Sequence, residues 1–241
     1  MIDLITITFN KPHLIEWQIK LLRRFMQEEY QLTVVDNSDS LDRRDVIEGI
    51  CQREAVRCFW VGGVGTNPSN SHGSAINWGW RYLLKGSQSR YFGFLDHDVF
   101  PVAPTTLTPK LDKGAYGILQ HREERWYLWP GFCFFDREWL NGVNGGKLNF
   151  LPVPGMDTGG ANYDLLFRHM RNDEFRTPSD MVKRRCRTVE NPELLSPQLD
   201  EYETWGGWLH CLNGSDWTPP RVGEPTKWEL MLPILEKAYN A

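Results

Sequence analysis

The stretch YFGFLDHDVFP, residues 91–101, runs an apolar segment straight into Asp96, His97 and Asp98 before turning apolar again. Two carboxylates one residue apart can hold a hard divalent cation, which prefers oxygen ligands and often completes its shell with substrate phosphates. On its own an Asp-x-Asp pair is a weak signal, because acids are mostly solvated and commonly do no more than sit in a turn. Here the flanking residues read as an extended chain, and the two-residue period of a strand places Asp96 and Asp98 on one side and His97 on the other. That context favours a site over a solvated turn.

The elements that must position these acids follow from apolar patterning. Ile2–Phe9 and Leu32–Val35 are short apolar and β-branched runs that read as buried strands. Between them Leu14, Trp17, Leu21 and Phe25 recur at helical spacing, with Asn10 and Pro12 as start signals. A helix over Leu41–Arg53, a strand over Val56–Val61, a helix over Ala75–Leu84 and the strand Tyr91–Leu95 continue the alternation. Alternating strands and helices predict an α/β fold with a mostly parallel sheet, whose ligand sites gather at the carboxyl ends of the strands. Asn10, Asp36 and the Asp96–Asp98 segment all fall at such ends. Beyond Pro101 the pattern weakens. Residues 116–120 and 129–135 read as strands and Asn162–Arg171 as a helix, and irregular structure is expected from Thr177 onward.

Composition narrows the classes of function. With 27 Lys and Arg against 31 Asp and Glu, the formal charge of -4 supplies no general basic field, so nucleic acid is not an expected partner. No run reaches the ~18 apolar residues of a membrane span, and the N-terminal residues lack the order of a signal peptide, so a soluble, cytoplasmic protein without a transmembrane segment is expected. The 5 cysteines include no Cys-x-x-Cys, which argues for reduced thiols over a zinc cage or disulfide framework. The glycine-rich GGVGTN, residues 62–67, matches neither a dinucleotide fingerprint nor a phosphate-binding P-loop.

The strands DLITITFN and LTVVDNSD, the helix-opening SHGSAINWGW and YFGFLDHDVFP, in that order over about the first hundred residues, resemble the nucleotide-sugar-dependent glycosyltransferases of GT-A fold, particularly the broad family-2-like group. The resemblance implies a single compact GT-A domain over residues 1–241, Rossmann-like, with a mostly parallel central sheet flanked by helices. Residues 1–100 would form the nucleotide-sugar half and 101–241 an irregular acceptor half. It implies that Thr8 and Asn10 line the base and that Asp36 hydrogen-bonds base or ribose. Asp96 then lies near the ribose and metal, and Asp98 binds Mn2+ or Mg2+ directly. His72, Gly73 and Asn77 match the family's donor-side segment, although His72 reads equally well as a helix cap or surface residue.

Group transfer with inversion also needs a carboxylate to take the acceptor proton. In PGMDTGGANYDLL, Asp157 precedes two glycines and an expected helix, where it would serve either as that base or as a helix cap; Asp136 and Asp164 are weaker candidates. If the reaction retains configuration, Asp157 would instead position acceptor or sugar. Near the C-terminus, GWLHCLNGSDW resembles the segment that carries a late metal-binding His in some GT-A enzymes, which makes His210 a second metal ligand and favours Mn2+, since imidazole suits transition metals. Trp126, Trp129, Trp139, Trp205, Trp208 and Trp217 cluster around these segments, either as core or, for one or two, as walls of an acceptor pocket. The expected activity is metal-dependent transfer of a sugar from a nucleoside-diphosphate sugar, a UDP-sugar foremost, to a carbohydrate or other hydroxyl acceptor. The alternatives are a sugar nucleotidyltransferase, which the absence of a Gly-rich basic signature after the first strand disfavours, and a non-catalytic carbohydrate-binding protein on the same fold.

Overall fold

A computed structural model describes residues 1–62, 67–186, 200–215 and 225–241. These form two compact units interleaved along the sequence. The first comprises Met1–Pro12, Glu28–Asp96 and Thr106–Thr177, and the second His13–Gln27, His97–Thr105 and Pro178–Ala241.

The first unit is built on a six-stranded sheet. Strands β1 (Ile2–Thr8), β2 (Tyr30–Asp36), β3 (Arg57–Trp60) and β4 (Tyr91–Asp96) run parallel in the order β3-β2-β1-β4. Strands β7 (Arg125–Asp136) and β6 (Ala115–Arg122) extend the sheet antiparallel beyond β4. The central position of β1 explains its composition: every residue of IDLITIT is buried, as a parallel strand covered on both faces requires. Helices α2 (Leu41–Arg53) and α3 (Pro68–Gly79) pack on the sheet, and α1 (Pro12–Phe25) lies almost wholly in the second unit.

The helix starts are legible in local chemistry. Ser40 accepts the Arg43 N–H at the start of α2, while Asn67 accepts the Asn70 N–H at 2.9 Å ahead of Pro68 in α3. The expected helix over Ala75–Leu84 begins earlier and ends differently: after Gly79 it widens into a π turn, with the Lys85 N–H donating to the Trp80 carbonyl at 2.8 Å. Trp80 is then buried and stacks on Phe92, with centroids 5.0 Å apart. A second π turn, Tyr163–Phe167, stands where a regular helix over Asn162–Arg171 is expected; it buries Leu166 and Phe167 beside Trp126 and Phe175. Helix α4 (Arg137–Asn144) is capped by Asp136 and closed by Gly145 in the left-handed conformation at φ 71°.

The second unit departs from the irregular structure expected after Thr177. Strands β5 (Val99–Pro101), β8 (Val182–Arg185), β9 (Glu201–Trp205) and β10 (Trp208–His210) form an antiparallel sheet in the order β5-β10-β9-β8. Helix α5 (Lys227–Asn240) forms despite the internal Pro233. Its start is fixed by a capping box in which Thr226 and Glu229 bond reciprocally. Met231 and Leu235 are buried with Leu14, Leu21 and Phe25 of α1 and with Phe100, Leu209 and Cys211. Capping and burial together outweigh the single lost helical hydrogen bond. No helix among the described residues is long and apolar enough to cross a membrane.

At the centre of the first unit, Gly93 lies on β4 between β1 and β7. A Cβ there would stand 2.1 Å from Phe134 Cδ1 and 2.9 Å from the Cys133 carbonyl oxygen, so Gly93→Ala forces strands apart in a packed core. A loss of about 1–3 kcal/mol in urea unfolding is expected. An unchanged midpoint would show that Phe134 yields without cost.

Candidate functional site

In the first unit, the carboxyl ends of β1 and β2 are tied into one polar knot. Thr8, fully buried, pairs with Asp36 across the ladder, and its carbonyl accepts the Asn37 N–H at 2.9 Å. Asp36 is 1% exposed, with Oδ1 accepting the Ser38 N–H at 2.9 Å in an Asx turn. Its Oδ2 is buried with no hydrogen-bond partner among the described residues. Asn10 stands in the left-handed region at φ 56°, a conformation Asn tolerates better than most residues. There its N–H donates to Ser38 Oγ at 2.8 Å, its amide donates to Asp39 at 2.6 Å, and its Oδ1 accepts the Ser40 N–H at 3.2 Å. The Trp60 indole closes the knot by donating to the Ser38 carbonyl at 3.0 Å, with the Arg44 guanidinium 4.5 Å over its ring. Asn10 therefore shapes the turn that holds Asp36.

Helix α3 meets this edge through polar contacts from Ser71 and His72. The Asn37 amide donates to Ser71 Oγ at 2.8 Å, and His72 Nε2 lies 2.9 Å from Asp96 Oδ1. His72 is not the α3 cap, which is Asn67, and its partly exposed side chain is engaged with the acid that ends β4. Gly73 is required by packing: a Cβ would approach the Phe150 carbonyl oxygen to 2.4 Å. Asn77 is spanned by its neighbours, donating to Asn149 Oδ1 and accepting the Phe150 N–H, both at 2.9 Å. These two residues bind the 149–150 segment. Gly131, which sequence reasoning did not single out, makes room for the acid, since a Cβ there would fall 2.5 Å from Asp96 Oδ2.

The uniform extended chain expected over residues 91–101 is interrupted. Asp96 ends β4, His97 and Asp98 form a turn, and β5 begins at Val99, so the two-residue period does not carry across them. The physical reason is a change of hydrogen-bonding partner, β4 pairing with β1 and β7, and β5 with β10. Asp98 and His97 belong to the second unit. His97 is 4% exposed and its Nε2 hydrogen-bonds Ser215 Oγ at 2.8 Å.

Within the second unit Asp98 and His210 come together. The Cys211 N–H donates to the Asp98 carbonyl at 2.8 Å, and His210 Nε2 lies 3.9 Å from Asp98 Oδ1. Gly214 closes over the acid, leaving no space for a Cβ, which would sit 2.6 Å from that of Asp98. The other face of the imidazole meets Glu203, whose Oε2 is 3.1 Å from His210 Nδ1. That hydrogen bond holds the Glu203 carboxyl below its ordinary range. Glu203 was missed by sequence reasoning, yet the Gly206-Gly207 pair between two short apolar-polar runs signals the hairpin that sets it opposite His210.

Asp157 lies in an exposed turn of the first unit and accepts the N–H of its neighbour Thr158 at 2.7 Å. It caps no helix, because turns and then the π turn follow it. Burial, reinforced by the Asp157 charge, raises the pKa of the Tyr127 phenol. Asp136 is consumed as the α4 cap and as partner of Arg90, and Asp164 sits in an exposed pair with Arg168. Trp126, Trp205 and Trp208 are core residues and Trp129 and Trp139 are partly buried. Trp217, Asp216 and positions 63–66 of the glycine-rich stretch lie outside the described residues.

No family model and no curated protein matches the chain. Among solved structures it is similar to a mannosyltransferase from Pyrobaculum calidifontis in complex with GDP-Man and Mn2+, at 16% identity and a TM-score of 0.46 over 74% of this chain. The match spans only 55% of that mannosyltransferase. It is also similar to glucosyl-3-phosphoglycerate synthase from Mycobacterium tuberculosis in complex with Mn2+, UDP and glucosyl-3-phosphoglycerate, at 19% identity and a TM-score of 0.45 over 73% of this chain and 68% of that one. The galactosyltransferase LgtC with donor and acceptor sugar analogs follows at 12% identity and 0.43, over 73% of each chain.

Burial lifts the Asp36 pKa above its ordinary value, against the opposing hydrogen bonds of Ser38. The native state therefore retains a proton that the unfolded chain loses, so stability falls as pH rises from the unfolded-state pKa to the folded one, and the deficit persists above it. Asp36→Asn should unfold at the same temperature as the parent well below the carboxylate range and at a higher one at pH 7. Parallel thermal midpoints across the whole pH series would contradict the buried, desolvated acid.

Proposed function

We propose that the chain is a metal-dependent glycosyltransferase that moves a sugar from a nucleoside-diphosphate sugar, with UDP-sugars as donors, to a hydroxyl acceptor. The observation that carries this reading is the approach of His210 Nε2 to Asp98 Oδ1 at 3.9 Å, in the second unit. Two donors bound ~2.1 Å from one ion lie roughly 3–4 Å apart, so the pair fits a shared divalent cation. Among the described residues no group of three or more His, Cys, Asp or Glu side chains could hold an ion. A two-residue protein contribution suits a cation whose remaining ligands are water and diphosphate oxygens. The carboxylate and imidazole mixture favours Mn2+ over Mg2+.

When bound, such an ion supplies Lewis-acid stabilisation of the departing diphosphate. The protein's own groups supply the rest. The buried Asp36 Oδ2, without a partner among the described residues, offers an acceptor for a base or ribose donor. Asn10 and Thr8 hold that acid in place through the knot at the ends of β1 and β2. Asp96, oriented by His72 and given room by Gly131, is assigned to the ribose side of the donor. Asp157 is exposed, its Oδ1 accepts the N–H and hydroxyl of Thr158, and its second carboxylate oxygen would receive an acceptor proton.

Thermal shift with UDP, GDP and ADP, each with and without Mn2+, tests the donor half, because a ligand that binds the native state alone raises the apparent midpoint. UDP with Mn2+ is expected to stabilise most, and stabilisation by glycans alone would favour a carbohydrate-binding protein instead. Asp98→Asn should keep the fold and lose the Mn2+-dependent part of the shift, since an amide is a poorer ligand for a hard cation. Asp157→Asn should leave UDP binding intact while lowering turnover about 10²- to 10⁴-fold. Unchanged turnover would remove Asp157 from the mechanism.

A further inference from the structure

We infer that Glu203 is a positioning residue that fixes the His210 imidazole as the tautomer protonated on Nδ1, so that the lone pair of Nε2 is presented on the Asp98 side to a divalent cation. The inference rests on the metal reading above and adds to it a residue and a reason for its placement.

The geometry is set by strand pairing. His210 and Glu203 are direct partners across the antiparallel β9–β10 ladder, where side chains on one face approach to about 4.5–5.5 Å at Cβ. The turn at Gly206 and Gly207, with φ 46° and 83°, fixes that register. Glu203 Oε2 then lies 3.1 Å from Nδ1 while Nε2 points toward Asp98. A carboxylate can only accept a hydrogen bond, so the contact requires the proton on Nδ1 and leaves Nε2 as the lone-pair nitrogen of the neutral ring. The other carboxylate oxygen of Glu203 lies 4.0 Å from Lys183 Nζ, contributed by the adjacent strand β8. The Trp205 ring flanks the imidazole with centroids 6.2 Å apart. Both side chains of the pair are largely buried, at 13% and 15% exposure, which limits competition from water for the hydrogen bond. A ligating imidazole held by a carboxylate through its other nitrogen is a general means of orienting the ring and raising its basicity, and loss of the carboxylate typically weakens metal binding about 10- to 100-fold.

Two readouts separate this inference from the metal reading. The first needs no metal: the 15N shifts and couplings of His210 in the uniformly labelled, metal-free protein report which ring nitrogen carries the proton. The parent should show Nδ1–H. Glu203→Met, which keeps length and removes the acceptor, should shift the ring toward Nε2–H, and Glu203→Gln, whose carbonyl oxygen can still accept, should retain much of the parent signature. The second is Mn2+ titration followed by the EPR signal of the free aqua ion, with at least tenfold weaker binding expected in Glu203→Met and partial recovery in Glu203→Gln. A parent protein with the proton on Nε2 overturns the inference whether or not Glu203→Met folds, as does a folded Glu203→Met with unchanged tautomer and Mn2+ affinity. A Glu203-dependent tautomer in a parent that binds no Mn2+ overturns the cation role and, with it, the metal reading, while leaving the orientation of His210 by Glu203 in force.

Discussion

The ladder that joins β1 to β2 on one side, in register from Ile2 through Thr8, and to β4 on the other, from Ile2 through Ile7, is the constraint on which the remainder of the first unit depends. A strand hydrogen-bonded on both edges and covered on both faces has no room for solvated groups along its length, so polar chemistry is pushed to the point where the ladder stops. Thr8, Asp36 and Asp96 are the residues at those stopping points. Once a strand ends, its next backbone groups need new partners. The Asx turn at Asp36 and the left-handed Asn10 provide them. The acid that the sheet delivers is therefore held by the same bonds that terminate the sheet.

The second unit meets an equivalent demand with antiparallel pairing. Its strands are short, and β8 is exposed along its whole length, so little of its order comes from burying that edge. Cross-strand register carries more of the specification: it sets Glu203 opposite His210, Lys183 opposite Glu203 and Val99 opposite His210. A charged strand at a sheet edge also discourages pairing with another chain, which gives the Lys183-Arg184-Arg185 run a role independent of any ligand.

What the sequence disclosed follows the strength of its local signals. The span of α2 and the existence of the first two strands were readable, the strands from their apolar and β-branched runs, although β1 stops at Thr8 and β2 extends over Tyr30–Asp36. Strands β8 to β10 were not, because VKRR, EYETW and WLH are short and polar and become strands through pairing with each other and with β5. Irregular structure was expected from Thr177 onward, and α5 forms there, despite Pro233, through its capping box and the burial of Met231 and Leu235. Among the candidate residues, Asp36 and Asp96 of the first unit and Asp98 and His210 of the second were all named from strand ends and motif resemblance. The turn at His97 and Asp98 was hidden because an apolar-acid-apolar string looks like one continuous strand. Glu203 was hidden because its meaning depends on a register that spacing alone does not reveal.

The interleaving of the two units has a consequence for how such a protein can be taken apart. A chain break placed anywhere between Glu28 and Arg176 removes a piece from both units. Neither can be deleted as a cassette from within that span, and a recombination event there would have to preserve two partial architectures at once. Inheritance of the chain is therefore expected to be all or nothing across those residues, with tolerance for grafts and permutations concentrated after Thr177.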